Sequence, residues 1–188
     1  MNAILARQAK ISIEDYLQGE LVSDIKHEYV NGEVYAMAGA KRPHNIISMN
    51  LSVLLGSHLR GTPCQAYNSD MKVGILTATD DYFYYPDLHV SCEKTGNELY
   101  NQEPKLIIEI LSDSTERTDR AEKFRDYRKL ASLEEYVLVA QDTPRVEIYR
   151  RAENWDLALF TQDEQFCLTS IDLSLHVAEV YENVFSEL

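Results

Sequence analysis

The sequence predicts an α/β fold, with helices packed on a mixed β-sheet. Three observations carry this. In "RPHNIISMNLSVLLGSHL", Ile47, Leu51, Leu54 and Leu55 recur at helical spacing and form a core-facing stripe. "KLIIEIL" and "EEYVLVA" are apolar runs interrupted only by acids, as expected of strands covered on both faces. Between them lies a charged stretch, "ERTDRAEKFRDYRKLAS", whose apolar stripe of Phe124, Tyr127 and Ala131 marks a helix. Helices and strands so interleaved make an α/β sandwich around a mixed sheet.

The elements follow in chain order. Ser12 can cap a short helix, "SIEDYLQ". "HEYVNGEVYAMAG" reads as a hairpin, because Asn31-Gly32 is a two-residue turn signal between Tyr- and Val-rich arms. Pro43 suits the first turn of the long helix that follows. Strands come next in "CQAYNSDMKVGI", "DYFYYPDLHVS" and "KLIIEIL". Ser114 or Thr115 can cap the charged helix. After "EEYVLVA", the turn signal Asp142-Thr143-Pro144 leads into another strand, "RVEIYRR". "NWDLALFTQDEQFCLTS" reads as a further hairpin and "LSLHVAEVYENVF" as a final helix.

With 188 residues and no repeat, low-complexity tract or Gly/Pro/Ser-rich linker, residues 1–188 are expected to form one domain. No run approaches a membrane span. The opening "MNAILARQAKISIEDYLQ" lacks a signal-peptide pattern. Cys64, Cys92 and Cys167 are odd in number and scattered, which argues against a disulfide framework and a zinc site. A reduced cytoplasmic setting is therefore expected. The net charge of −13 speaks against nucleic acid. Its distribution softens that objection. From Ala152 onward there are eight acids and no Lys or Arg, whereas nine of the 18 basic residues fall between Asp113 and Arg151.

The chemistry is concentrated in Asp87, directly after Pro86, and Glu109, inside an apolar strand. Buried carboxylates are costly unless compensated. Two carboxylates from neighbouring strands, with a backbone carbonyl (that of Ile110), waters and a phosphate, suit Mg²⁺ or Mn²⁺. Such an ion polarises a phosphoryl oxygen and lowers the pKa of an attacking water. Pro86 cannot donate to a ladder, so an edge or a bulge is expected beside Asp87. The bland alternative is that each acid pairs with an Arg or a backbone donor.

Pro86-Asp87 followed by Glu109 in an apolar strand and then a helix resembles the PD-(D/E)XK nuclease superfamily. More narrowly, "HEYVNGEVYAMAG", "HNIISMNLSVLL", "YPDLHV", "PKLIIEILSDST" with "DRAEKFRDY", and "EEYVLV" together resemble the Uma2 family, also called DUF820, abundant in cyanobacteria. The resemblance runs from about Ile13 to Phe185. It implies a restriction-endonuclease-like core (helix, three strands, helix, strand) with a mixed sheet and added N- and C-terminal hairpins. It also implies a cytoplasmic, Mg²⁺-dependent (or Mn²⁺-dependent) endonuclease acting on nucleic acid, DNA foremost, with a homodimer expected by analogy.

One departure from the superfamily pattern matters. A lysine is expected two residues after Glu109, where this sequence has Leu111. The resemblance moves that role to Lys123 in the following helix, where Asp119, Lys123 and Tyr127 are spaced to share one face. A solvated lysine paired with Asp119 is the plain alternative. His44, at the start of the long helix, occupies the place of a family histidine and can contact a phosphate or act as acid or base. Asp70 can add a supporting carboxylate or simply end a turn. Glu28 and Glu33 flank the first hairpin, and Glu33 can approach the site across the sheet. His27, His58, His89 and His176 have no ligand spacing. The rival to an enzyme is a nuclease fold kept as a binding or assembly module, which Leu111 and the acidic surplus favour.

Overall fold

The structure, a computed structural model, describes residues 10–93 and 96–185. The first nine residues, part of the stretch read for a signal peptide, lie outside them. Helix α1 (Ile13–Glu20) is capped by Ser12, whose hydroxyl accepts from the Asp15 N–H at 3.1 Å. The hairpin β1 (His27–Val30) and β2 (Glu33–Ala36) turns at Asn31-Gly32, both at positive φ, as a two-residue turn of this type requires. Helix α2 (Arg42–His58) carries Ile47, Leu51 and Leu55 into the core.

Two larger sheets follow. One has five strands in the order β2-β1-β5-β4-β7, with β4 (Lys72–Leu76), β5 (Asp81–Tyr84) and β7 (Tyr100–Asn101). The other has six, in the order β11-β10-β9-β8-β6-β3. These are β3 (Gln65–Asn68), β6 (Leu88–Ser91), β8 (Pro104–Leu111), β9 (Glu135–Ala140), β10 (Arg145–Arg150) and β11 (Leu157–Thr161). Strands β8 and β9 pair parallel, whereas β6 and β8 pair antiparallel, so the sheet is mixed as expected. The crossover from β8 to β9 is helical: α3 (Glu116–Thr118), a π-helical turn over Asp119–Lys123, and α4 (Phe124–Tyr127).

Alternation along β8 sorts the core into layers. Leu106, Ile108 and Ile110 face α2 and the C-terminal segment, joining Leu51, Val137, Ile148 and Leu175. Ile107 and Leu111 face the other way, into a cluster with Tyr127, Leu130 and Tyr136 and with Val73, Ile75, Tyr82 and Tyr84 of the five-stranded sheet. Glu109 shares that second face, so it points between the sheets.

Six sequence expectations are corrected. "DYFYYPDLHVS" is not one strand. The chain leaves the five-stranded sheet after Tyr84 and enters the six-stranded sheet at Leu88, so Tyr85-Pro86-Asp87 is the crossing. The ladder irregularity expected near Pro86 lies instead at Val90/Ser91. Strands β11 and β12 (Gln165–Leu168) do not form a hairpin with each other: β11 pairs with β10, and β12 pairs with β13 (Leu173–His176). "LSLH" therefore begins the expected final helix as a strand, its Leu173 and Leu175 alternating inward, and only Val177–Val180 is helical (α5). Ala131 is exposed in a turn beyond α4, so it takes no part in the helical stripe. Finally, Cys64 and Cys92 are joined by a disulfide and Cys167 is free. Gln65 faces Ser91 across the antiparallel β3–β6 pair, so the next pair outward is Cys64 and Cys92. That meeting is non-local, and spacing in the sequence does not show it.

Candidate active site

A cavity of about 610 Å³ lies at the C-terminal end of β8, lined by residues of β1, β2, α2, the Tyr85–Asp87 crossing and the π turn. At its floor is Glu109, 3% exposed. Its two oxygens are divided between elements. Oε2 accepts from the Asp87 N–H at 3.3 Å. Oε1 accepts from the Tyr127 hydroxyl at 3.3 Å and faces the Lys123 ammonium at 3.5 Å.

Asp87 is held just as firmly. Its Oδ2 accepts from the Ile110 N–H at 2.7 Å and lies 3.1 Å from His44 Nε2. Continuing the Leu88–Ile108 register by two places puts Pro86 opposite Ile110, and Pro86 has no N–H to offer. The Ile110 carbonyl therefore receives no donor from Pro86, while the Ile110 N–H donates to the Asp87 carboxylate in place of a ladder carbonyl. N–H and C=O of one strand residue leave the strand on the same side, so the Ile110 carbonyl faces the Asp87 side as well.

Lys123 is ringed by acids: Glu28 at 2.8 Å, Asp119 at 3.4 Å and Glu109 at 3.5 Å. Burial works to lower its pKa, but the three carboxylates outweigh burial and hold it well above the ordinary lysine value. It stays an ammonium. Burial pushes Glu109 well above the usual carboxylate range, with Asp119, Asp87 and Glu28 adding to the rise and Lys123 opposing it. Asp119 is raised for the same first reason, burial, again against Lys123. One cation among four acids leaves a charge surplus, and Glu109 and Asp119 relieve it by binding protons more readily. Burial pulls His44 down, but its hydrogen bond to Asp87 and the charge there prevail, so its pKa is raised.

The π turn explains how one short helical run supplies so much. Such turns are rare and concentrate at functional sites. Here Asp119, Lys123 and Tyr127 all face Glu109, and the Tyr136 hydroxyl donates to the Asp119 carbonyl at 2.9 Å, fixing the turn on β9. Arg120, within the same turn, binds Glu147 of β10 through both terminal nitrogens, at 2.5 and 2.9 Å.

Residues 13–178 match the Uma2 family, described as "Putative restriction endonuclease". The chain belongs to the Uma2 family. Two Synechocystis relatives, both described as uncharacterized, are similar along most of their length. One (slr1290) is 35% identical, covering 93% of each chain, and the other (sll1609) is 33% identical, covering 79% of this chain and 85% of its own. The fold is also that of a solved structure described as "a putative nuclease belonging to DUF820", from Anabaena variabilis. Its TM-score is 0.71 and its identity 18%, over 87% of this chain and 93% of that one.

In this Uma2 chain the structure brings together Asp87, Glu109, Lys123 and His44, all lining one cavity. Ile110 meets them through its N–H. Asp70 stays outside: its exposed carboxylate pairs with Lys26, and it is Lys26 that lines the cavity. Glu33 is exposed and accepts from the Tyr35 hydroxyl, so it does not reach across the sheet. Glu28 does. Tyr29 faces α1 with Tyr16 and Phe83, so alternation turns Glu28 to the opposite side, toward the π turn. Its parity with Tyr29 was a readable signal. Which face of the hairpin meets the helix was not. Among the described residues, no three His, Cys, Asp or Glu side chains are grouped closely enough to hold a metal ion by themselves. No helix there is long and apolar enough to cross a membrane.

Proposed function

We propose that this chain is a divalent-metal-dependent endonuclease that hydrolyses phosphodiester bonds in DNA. One observation carries the reading: Asp87, Glu109 and Lys123 come from a sheet crossing, a strand and a π turn, yet meet at the floor of one cavity beside His44. Membership of a family described as restriction endonucleases, and the likeness to an Anabaena structure described as a nuclease, support a nuclease-type activity.

The donor set fits Mg²⁺ or Mn²⁺. It is made of hard carboxylate oxygens, and the buried Asp119 Oδ1 makes no hydrogen bond, facing only the Lys123 ammonium at 3.4 Å. Fewer than three grouped protein ligands is what Mg²⁺ accepts, since it keeps waters and takes substrate phosphate. Asp87 and Glu109 would hold the ion, with the Ile110 carbonyl beside them. When bound, such an ion neutralises phosphoryl charge and acidifies a coordinated water.

The chain's own groups do the rest. Lys123 keeps a fixed positive charge where phosphoryl oxygens gain negative charge. Water gives up a proton to bulk solvent as its oxygen bonds to phosphorus, the bond to the departing sugar oxygen breaks, and that oxygen takes a proton. His44, its protonated form favoured by Asp87, would supply it.

The test is cleavage of plasmid, linear duplex, single-stranded DNA and RNA with Mg²⁺, Mn²⁺ or EDTA, with Asp87→Ala and Glu109→Ala run in parallel. Metal-dependent cutting lost in both variants supports the assignment; full activity in Asp87→Ala sinks it. A second reading, a nuclease fold retained as a binding module, is favoured by Leu111 at the usual lysine position. It predicts no Mn²⁺ binding that depends on Asp87 and Glu109 in isothermal titration.

A further inference from the structure

We propose that the cavity admits a single nucleic-acid strand, one unpaired nucleotide at a time, and rejects intact duplex; this rests on the phosphodiesterase reading above. The cavity has a polar floor and, on one wall, an apolar rim. Glu109, Asp119 and Lys123 at the floor are nearly inaccessible, whereas Tyr35, Ala36, Ala38, Gly39 and Ala40 on one wall are exposed and Met37 is half-buried. A phosphate must therefore travel inward past that wall to reach the carboxylates. Its volume, about 610 Å³, is in the range of a site for one small ligand. The backbone of a duplex lies on a broad, stiff cylinder, and its phosphates cannot leave it without unstacking a nucleotide.

Charge points the same way. Duplex binding draws on several lysines and arginines reaching phosphates along both strands. Here Lys26 is paired with Asp70 and Lys41 beside the rim with Asp113 at 2.7 Å, leaving Arg42, next to Lys41, as an exposed cation on that side. Lys123 is enclosed by acids. What the rim offers instead is Tyr35 and Met37 among small residues, surfaces suited to an unpaired base. An aromatic ring stacks any base by its face, which a paired base does not present.

The experiment compares one labelled 30-nucleotide strand alone, in full duplex, and in duplex with a central unpaired bubble, using wild-type protein and Mn²⁺. The free strand and the bubble are expected to be cut at least about tenfold faster than the duplex, the bubble within its unpaired stretch. Tyr35→Ala is expected to lose about tenfold in kcat/KM on the free strand, through KM, with Tm unchanged. Duplex cut as fast as the free strand overturns the inference and leaves the nuclease reading standing. If folded protein cuts none of the three, the nuclease reading falls, and fluorescence anisotropy on the same three DNAs decides this one. Duplex binding equal to or tighter than single-strand binding, or no binding to any, overturns it.

Discussion

The carboxylate nearest the Lys123 ammonium is that of Glu28, 2.8 Å away, while Glu109, the acid in the strand, stands at 3.5 Å. The lysine is thus aimed by a residue of the N-terminal hairpin. Glu28→Gln is expected to lower kcat by about tenfold and leave KM nearly unchanged. It also takes one negative charge from a site where Glu109 already binds protons too readily, partly because of Glu28. Stability in urea should therefore change by less than about 1 kcal/mol, since lost attraction and relieved repulsion offset each other. A loss of several kcal/mol would make Glu28 a structural ion-pair partner only.

Lys123→Met removes the cation and leaves three acids facing one another. Cleavage should fall by about 10²–10³-fold. Stability should fall by roughly 3 kcal/mol at pH 8, the cost of leaving buried charges unpaired. The pH dependence has a definite sign. Carboxyls with raised pKa bind more protons folded than unfolded, so stability falls as pH rises. Urea denaturation at pH 5 and pH 8 checks it: the deficit must be smaller at pH 5.

Leu111→Lys places a lysine two residues after Glu109 but will not restore a working site. Leu111 is 4% exposed and packs in the cluster of Tyr127, Leu130 and Tyr136. An ammonium there would be buried among aliphatic and aromatic side chains, and the variant should lose about 3 kcal/mol or more. Equilibrium unfolding measures this directly. A variant as stable as wild type, with Lys123→Met activity rescued, would show that the position is open to a catalytic lysine after all.

Glu147 anchors the π turn through Arg120. Burial pushes its carboxyl up, but Arg120 prevails and the pKa lies below the ordinary 4.5. A depressed carboxyl contributes stability above its unfolded pKa and loses that contribution as pH falls through the folded value. Glu147→Gln should therefore be less stable than wild type at pH 7, with the gap closing as pH falls below the ordinary 4.5 and through the lowered folded value. A gap that stays constant from pH 7 to pH 3 would mean that the charge of Glu147 contributes nothing.

Local chemistry made much of this molecule readable. Asn31-Gly32 announced its turn, Ile47, Leu51 and Leu55 their helix, and "KLIIEIL" its covered strand, because backbone preference and periodicity act over a few residues. The nearness of Asp87 to Glu109 was legible because an acid in an apolar strand needs company. What stayed hidden depends on distant partners. "LSLHVAEV" fits a helix until Leu173 and Leu175 find β12. Tyr82 to Val90 reads as one strand because each half is apolar, and only the presence of a second sheet divides it. A π turn has no sequence signature, and the pairing of Asp70 with Lys26, 44 positions away, depends on a contact that local pattern does not carry.

The crossing at Tyr85-Pro86-Asp87 has a mechanical consequence. Glu28 stands on one sheet and Glu109 on the other, with Asp87 in the hinge-like strap between them. The acids keep their spacing only while the two sheets keep their alignment, so sliding one past the other by an ångström or so would pull Lys123 from Glu28 before any strand frayed. The constellation thus acts as a gauge of sheet docking, and loss of its chemistry should precede loss of secondary structure as denaturant rises.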